Sequence, residues 1–290
     1  MTNPPEIFDR VLLRKRRRKA VHTIETVDYL LKYAHEDIVD RLSVIMREFP
    51  IVLNLGAHHG DLTNRLKDLS TITDVFSLDS VFEMVEKNST LGINGDEELL
   101  PFAAECLDLV VSSLSLQFVN DLPGTLLQIR QCLKADGAFV AALLGGESLT
   151  ELRHVFLMAE EELYGGASPR VAPFADVRDM GHLLQRAGFA LPVTDRDVLK
   201  VRFNSATHLM KELQAMGASN VLSNRSRIHN SKALFKRVDE LYAEYYSDDD
   251  GRVYASFELI YLMGWAPHPD QQKPLRPGSG AVNLKDVFGK

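Results

Sequence analysis

The chain has 290 residues, of which 45% are hydrophobic and 25% are charged, enough for one sizeable hydrophobic core. Its formal net charge of −7 argues against nucleic acid as the main partner. No apolar run reaches the length of about 18 residues that a membrane-spanning helix needs. Residues 1–9 resemble neither a secretory signal nor a transit peptide. We therefore expect a cytoplasmic protein in a bacterium, or one on the mitochondrial matrix side if the chain is a processed eukaryotic protein.

The elements are predicted in chain order from the periodicity of apolar residues. Residues 1–48 show helical spacing, and residues 50–145 alternate strands with helices. The strand candidates in this part are 51–55, 75–78, 107–112 and 138–144. The last two are near-continuous apolar runs, which are typical of parallel strands buried on both faces. We therefore predict a doubly wound α/β sheet.

The pattern changes after residue 145. Helices are predicted over 146–163, 176–186 and much of 205–247, and a returning strand pair over 191–203. Residues 254–265 fit a strand or a helix, and the tail 267–290 is rich in Pro and Gly. These changes suggest an N-terminal helical segment, a cofactor-binding domain with a substrate-side insertion, and a C-terminal extension with a tail. The N-terminal segment covers residues 1–48. The cofactor-binding domain covers 49–204, with the insertion at 146–190, and the C-terminal extension and tail cover 205–290.

The most informative stretch is IVLNLGAHHG, residues 51–60, read together with Asp79. An apolar strand leads into Gly56, a short turn and Gly60. A glycine turn of this kind lets the backbone pass close to a ligand, and an acidic residue about 20 positions further on can hydrogen-bond a ribose. Asp79 follows Gly60 by 19 residues. The sequence therefore predicts a site for a nucleoside cofactor.

Three later segments lie where such a site needs further contacts. Asp96 can accept a hydrogen bond from an adenine amino group, and Leu99 can cover the ring. Residues 113–120, which include Gln117, and residues 145–149 each follow a predicted strand. The carboxyl ends of the strands are the edge where doubly wound folds bind ligands.

With these residues in order, the chain resembles the class I S-adenosylmethionine-dependent methyltransferases. It is most similar to the complex I assembly factor 5 family, whose members are described as protein-arginine hydroxylases, and it is related to the biotin-pathway malonyl-carrier methyltransferases. The stretches that carry the resemblance span nearly the whole chain. They are FDR (8–10), DEELLPF (96–102), LVVSSLSL (109–116), VNDLP (119–123), ELR (151–153), GHLL (181–184), RAGF (186–189), MG (216–217) and GW (264–265).

The resemblance implies a Rossmann-like class I methyltransferase fold with an N-terminal helical lid and a C-terminal helical extension. It also implies S-adenosyl-L-methionine as cofactor, and a protein substrate, a subunit of NADH dehydrogenase, whose modification assists complex I assembly at a membrane complex. The residues expected to contact the cofactor are Asn54, Gly56, Ala57, Gly60, Asp79, Ser80, Asp96, Glu97, Ser113 and Gln117. Catalytic residues stay unassigned. The alternatives are a malonyl-carrier-type O-methyltransferase and a non-catalytic assembly chaperone.

One departure from the family pattern lies in the glycine turn, which usually reads Leu-Asp-Leu-Gly-Cys-Gly-x-Gly. Here Asn54 replaces the Asp, Ala57 the Cys and His58 the central Gly. Glycine at that place adopts positive φ and lets the backbone approach the cofactor, whereas a histidine adds bulk. We therefore expect altered turn geometry or reduced cofactor affinity. Adjacent histidines on a tight turn rarely point the same way, so His58 and His59 are not predicted to hold a metal.

Charged and sulfur-containing residues outside this turn leave several interpretations open. The six basic residues 14–19 fit a solvated helix face or a docking segment for an acidic partner, and we favour the first. Glu147 and Arg153 fit substrate contacts or a local ion pair. Cys106 and Cys132, the only cysteines, are expected to be buried, reduced thiols, since no zinc spacing is present.

Overall fold

A computed structural model describes residues 6–88, 91–227 and 231–272. The helices within these ranges are α1 (Arg10–Ala20), α2 (Tyr29–Ser43), α3 (Asp61–Lys67), α4 (Phe82–Asn88), α5 (Leu122–Cys132), α6 (Thr150–Tyr164), α7 (Val177–Arg186), α8 (Ala206–Ala215) and α9 (Lys232–Tyr245). The strands are β1 (Phe49–Leu55), β2 (Ile72–Asp79), β3 (Gly92–Asn94), β4 (Leu107–Ser113), β5 (Leu133–Leu144), β6 (Ala190–Phe203) and β7 (Val253–Trp265).

The seven strands form one sheet in the order β3-β2-β1-β4-β5-β7-β6. Strands β1 to β5 pair in parallel, whereas β7 is antiparallel to both β5 and β6. The chain runs outward from β1 to β3 on one side and from β4 to β5 on the other. The gap between β1 and β4 is thus the point where open α/β sheets bind ligands. The predicted doubly wound, mostly parallel α/β sheet is confirmed.

The centre of the sheet is apolar and buried on both faces, as the sequence predicts. All seven residues of β4 are buried. Val110 pairs with Leu53 of β1 on one side and with Phe139 of β5 on the other. Each such buried side chain stabilises the fold by about 1.5–3 kcal/mol. The strands are therefore a firm base that holds the loops at their carboxyl ends in place.

The first helix lies at the edge of the sheet where β2 ends, and the second packs on the strands β4 and β5. Asp9 caps α1, because its side chain accepts a hydrogen bond from the backbone N–H of Leu12 at 2.8 Å. The buried residues of α1 are Leu13, Arg17 and Ala20, which share one face of the helix. The expectation that the basic run forms only a solvated face is therefore wrong, since Arg17 points into the protein.

The C-terminal half differs from expectation in two elements. Residues 190–203 form the single strand β6 rather than a strand pair, and the ambiguous 254–265 segment is the strand β7. Because β7 lies between β5 and β6, the sheet continues past residue 204, where the sequence suggests a domain boundary. That division stays an interpretation.

Both cysteines are free; Cys132 is buried as predicted, whereas Cys106 is only half-buried. No helix in the described part of the chain is long and apolar enough to cross a membrane. Most of the predicted irregular tail, residues 273–290, lies outside the described residues.

Candidate functional site

The glycine turn lies between β1 and α3, at the predicted edge of the sheet. Gly56 and Gly60 have φ values of +75° and +92°, a region that favours glycine. A Cβ atom at Gly56 would lie 2.3 Å from the Ser115 side chain, and one at Gly60 would lie 1.7 Å from Oδ1 of Asn88. Both glycines are therefore required by the chain's own packing at this turn.

Asp79 ends β2 beside this turn, and its carboxylate is fully buried. Its Oδ1 atom accepts the backbone N–H of Val81 at 2.9 Å, and its Oδ2 atom accepts that of His58 at 3.0 Å. These bonds fix the orientation of the carboxylate beside the glycine turn.

Arg17 enters the site from α1 and donates to three side chains. Its Nη2 atom lies 2.8 Å from Oδ2 of Asp79 and 3.0 Å from Nδ1 of His58. Its Nη1 atom lies 3.3 Å from Oε1 of Glu97. Because Arg17 is only 5% exposed, this is a buried ion network, for which loss of one partner is costly.

His58 is neutral in this network. The guanidinium of Arg17 can only donate, so Nδ1 of His58 accepts this hydrogen bond and the other ring nitrogen carries the hydrogen. That Nε2–H donates to the carbonyl oxygen of Ser113 at 2.9 Å. Burial, reinforced by the charge of Arg17, lowers the pKa of His58 well below its usual range. The ring thus joins the ends of β1 and β4, and the residue has φ of +50°.

A second arginine of α1 completes the acidic side of the site. Arg10 bonds to the carboxylate of Glu97 and lies 2.5 Å from Oδ1 of Asp96. Glu97 also accepts the hydroxyl of Ser115 at 2.8 Å. Burial opposes ionisation of Glu97, but the two arginines outweigh it and lower the pKa of this carboxyl. For Asp79 burial prevails over the charge of the α1 arginine beside it and raises the pKa.

Comparison with known proteins places this site in a family. The family described as "Methyltransferase domain" matches residues 53–141, which include the glycine turn and Asp79. A rat protein named "Arginine-hydroxylase NDUFAF5, mitochondrial" is 40% identical over 97% of this chain and 83% of its own length. The chain belongs to the NDUFAF5 family.

Two further comparisons concern proteins outside the NDUFAF5 family. A malonyl-[acyl-carrier protein] O-methyltransferase of Xylella fastidiosa is 29% identical over 90% of this chain and 89% of its own length. The YcgJ protein of Bacillus subtilis shares 13% identity, with a TM-score of 0.57 over 81% of this chain and 99% of that chain. The similarity to YcgJ supports only the assignment of the fold.

The residues predicted to contact a cofactor in this NDUFAF5-family chain divide into two groups. Asp79, Asp96 and Glu97 come together at one edge, linked by the two arginines. Asn54 instead donates to Thr63 of α3 at 2.9 Å, and its Oδ1 atom is buried without a partner among the described residues. The turn backbone, which includes Ala57, is tied to β2 by its hydrogen bond to the carbonyl oxygen of residue 78.

Three other predicted residues carry buried polar atoms without a partner among the described residues. These atoms are the hydroxyl oxygens of Ser80 and Ser113 and Oε1 of Gln117. A polar ligand at this edge would give such atoms a partner, and buried polar atoms are normally hydrogen-bonded. The donor and acceptor set therefore fits S-adenosylmethionine. In the arrangement shown, however, Arg17 holds the Asp79 carboxylate that would bind the ribose.

Other candidates have local partners. His59 lies 3.1 Å from Asp28 through Nε2, and no group of three or more potential metal ligands occurs in the described ranges. Glu147 and Arg153 do not pair with each other; the guanidinium of Arg153 donates to the carbonyl oxygen of Ala172 at 3.3 Å. The local ion pair considered for them is therefore wrong.

The sequence analysis missed Arg10, Arg17 and Ser115. The signal for the arginines was available: Arg10, Leu13, Arg17 and Ala20 recur at helical spacing on one face of α1. Two arginines on an otherwise apolar stripe indicate buried carboxylate partners, because arginine is almost never fully buried unless paired.

Proposed function

We propose that this chain is an S-adenosylmethionine-dependent enzyme that modifies a protein subunit of NADH dehydrogenase and thereby assists complex I assembly. The observation that carries the proposal is the 40% identity to the NDUFAF5 arginine-hydroxylase over nearly the whole chain. The similarity extends beyond the methyltransferase core at residues 53–141 into both helical flanks. A shared cofactor fold alone would not require similar flanks.

The cofactor in this proposal lies across the ends of β1 and β2, with the ribose hydroxyls on Asp79. Ser80, Glu97 and Ser113 supply further polar contacts at that edge. When bound, S-adenosylmethionine supplies an activated methyl group, and the protein's task is alignment of the acceptor and exclusion of water. Cofactor binding requires Arg17 to leave Asp79, so α1 acts as the lid of the site.

The chain's own side chains hold charge and protons in defined positions around this edge. Glu97 stays ionised because two arginines face it and lower its pKa, and His58 stays neutral because burial lowers the pKa of its ring. Because their pKa values are lowered and both are bonded to Arg17, His58 and Glu97 serve as hydrogen-bond acceptors within the network rather than as proton acceptors. We assign no catalytic residue.

A second candidate is a non-catalytic assembly chaperone. The same network favours it. Arg17 is bonded to Asp79, the carboxylate expected to bind the ribose, and His58 stands at the turn position where the family pattern has a glycine. The malonyl-carrier O-methyltransferase alternative is supported by lower identities, such as the 29% identity to the Xylella fastidiosa protein.

Calorimetric titration with S-adenosylmethionine and with its demethylated product decides between the first two candidates. We expect both to bind the full chain with one site per molecule. Absence of binding to the wild type and to an Arg17→Met variant would leave the chaperone as the function. Mass spectrometry of an NADH dehydrogenase subunit incubated with the loaded protein then shows whether a methyl group is added; addition of an oxygen atom requires dioxygen and a reductant and is tested in a separate incubation that supplies both.

A further inference from the structure

Two adjoining cavities lie beside α1; Arg17 lines one of them and Asp79 lines neither. The inner cavity is lined by Leu13, His58 and Gln117, so it begins at the carboxyl edge of the sheet. The outer cavity has a volume of about 390 Å³ and leads away from that edge between α6, α8 and α9. They share four lining residues, so we treat them as one passage. The shared residues are Phe118, Leu144, Leu213 and Ala218.

The wall of the outer cavity is predominantly apolar, although Gln214, Ser219 and Asn220 also line it. Its side chains come from separate helices and from the 171–174 segment, and they include Leu152, Phe156, Phe174 and Met210. Covering such an apolar surface with hydrocarbon is favourable by roughly 25 cal/mol for each Å² removed from water. The passage therefore suits a chain of methylene groups better than a polar peptide segment.

The outer end of the passage carries two arginines in different states. Arg170 is neutralised by Glu160, whose carboxylate accepts from its Nε at 2.9 Å. Arg16 has no carboxylate within 4.0 Å among the described residues, and its guanidinium donates to the carbonyl oxygen of Asn220. Burial, followed by the nearby charge of Arg225, lowers the pKa of Arg16. A half-buried guanidinium without a counter-ion of its own attracts an anion.

The inner end carries one unmatched acceptor. The amide nitrogen of Gln117 donates to the carbonyl oxygen of Leu114 at 2.8 Å, which leaves Oε1 buried and without a partner among the described residues. Gln117 thus holds a polar atom at the end of an apolar passage, next to the proposed cofactor site. This acceptor is among the atoms assigned above to the cofactor, so the head group of a ligand in the passage belongs at the other end, on Arg16.

We propose that this passage binds an amphipathic anion, with an alkyl chain along the apolar wall and an acidic head group on Arg16. The shared chemistry is an acid on a medium-length alkyl chain, whether a carboxylate or a phosphate ester. This ligand is additional to the protein substrate of the proposed function, and its binding does not depend on S-adenosylmethionine.

Titration of the full chain with alkyl probes, each below its micelle threshold, tests the proposal. Decanoate and decyl phosphate are expected to bind, decanol more weakly, and decyltrimethylammonium most weakly. Inorganic phosphate alone is expected not to bind measurably. The ratio of decanoate to decyl phosphate affinity identifies the preferred head group. Equal affinity for the anionic and cationic probes, or no binding of any alkyl probe, would overturn the proposal.

Two variants locate the ligand. Arg16→Gln is expected to weaken decanoate binding about tenfold or more and to leave decanol binding unchanged, because only the charge is lost. Lys15→Gln, an exposed neighbour on the same helix, is the matched control and is expected to leave both unchanged. Leu213→Trp narrows the shared section and should abolish binding of both probes. An unchanged decanoate affinity in Arg16→Gln would reject Arg16 as the head-group site, even if Leu213→Trp fails to fold.

Discussion

The Nη2 atom of Arg17 lies 2.8 Å from Oδ2 of Asp79, and both side chains are buried. Asp79 is the carboxylate that the glycine turn and its spacing mark for a ribose, so the protein's own guanidinium holds the expected cofactor contact. The two carboxylate oxygens already accept N–H groups from Arg17, His58 and Val81. In the proposed function, Arg17 and the ribose of the cofactor therefore compete for Asp79.

Removing the guanidinium of Arg17 should lower the folding stability and raise the affinity for the cofactor. In Arg17→Met the apolar stem remains but Asp79 and Glu97 lose a buried partner, which costs on the order of 3–5 kcal/mol of folding stability. S-adenosylmethionine affinity is expected to rise about tenfold or more, because no ion pair has to be broken. Thermal unfolding without ligand and calorimetric titration with it measure the two effects. Lys15→Met is the exposed control, and an Arg17→Met affinity at or below the wild type would contradict the competition.

The carboxylate itself is tested by Asp79→Ala. We expect the variant to lose on the order of 1.5–3 kcal/mol of S-adenosylmethionine binding, the scale for hydrogen bonds to charged groups. The loss should be larger in an Arg17→Met background, where Asp79 is free to bind the ribose, than in the wild type. A double-mutant cycle on these two positions measures the coupling. Unchanged cofactor affinity in both backgrounds would reject the ribose placement.

The parts of this site that depend on local pattern are predictable from the sequence. Gly56 and Asp79 follow apolar strands at a fixed spacing, so the pattern alone predicts their place at the carboxyl edge of the sheet. Arg17 could not be placed in the same way. Its partners lie 41, 62 and 80 residues further along the chain, and they are reached only because α1 crosses the sheet edge. The packing direction of a helix depends on tertiary contacts that a single sequence does not show.

His58 should make stability depend on pH in a defined range. An unfolded histidine has a pKa of about 6.5, and burial lowers the folded pKa well below that. The unfolded state therefore takes up the proton first, so stability falls as pH drops below about 6.5, by at most about 1.4 kcal/mol per pH unit. Protonation would also place a second cation beside Arg17.

The matched variant is His58→Asn, because asparagine tolerates positive φ and does not titrate. Denaturant unfolding at about pH 7.5 and about pH 5.5, on either side of the unfolded pKa, is expected to show a smaller loss of stability in the variant than in the wild type. His35, which is also buried with a lowered pKa, is present in both proteins and cancels in the difference. An equal loss in both proteins would show that His58 is not the titrating group.

The exposed part of the basic run gives the last prediction. Arg17 is buried, so a charge reversal that includes it would disrupt the fold rather than test docking. Lys15 and Lys19 are exposed on the outer face of α1, where they can attract an acidic partner at long range. Reversing both to Glu should slow association with an NADH dehydrogenase subunit and leave S-adenosylmethionine binding unchanged.

Salt and a charge-matched control make this test specific to the surface of α1. Lys211→Glu with Lys236→Glu changes the net charge equally on α8 and α9, and should slow association less. The difference between the two double variants should shrink as salt rises, because the Debye length falls from about 30 Å at 0.01 M to about 8 Å at 0.15 M. Surface-binding kinetics at these two ionic strengths measure it. Equal association rates for both variants at low salt would mean that Lys15 and Lys19 only keep that face of the helix solvated.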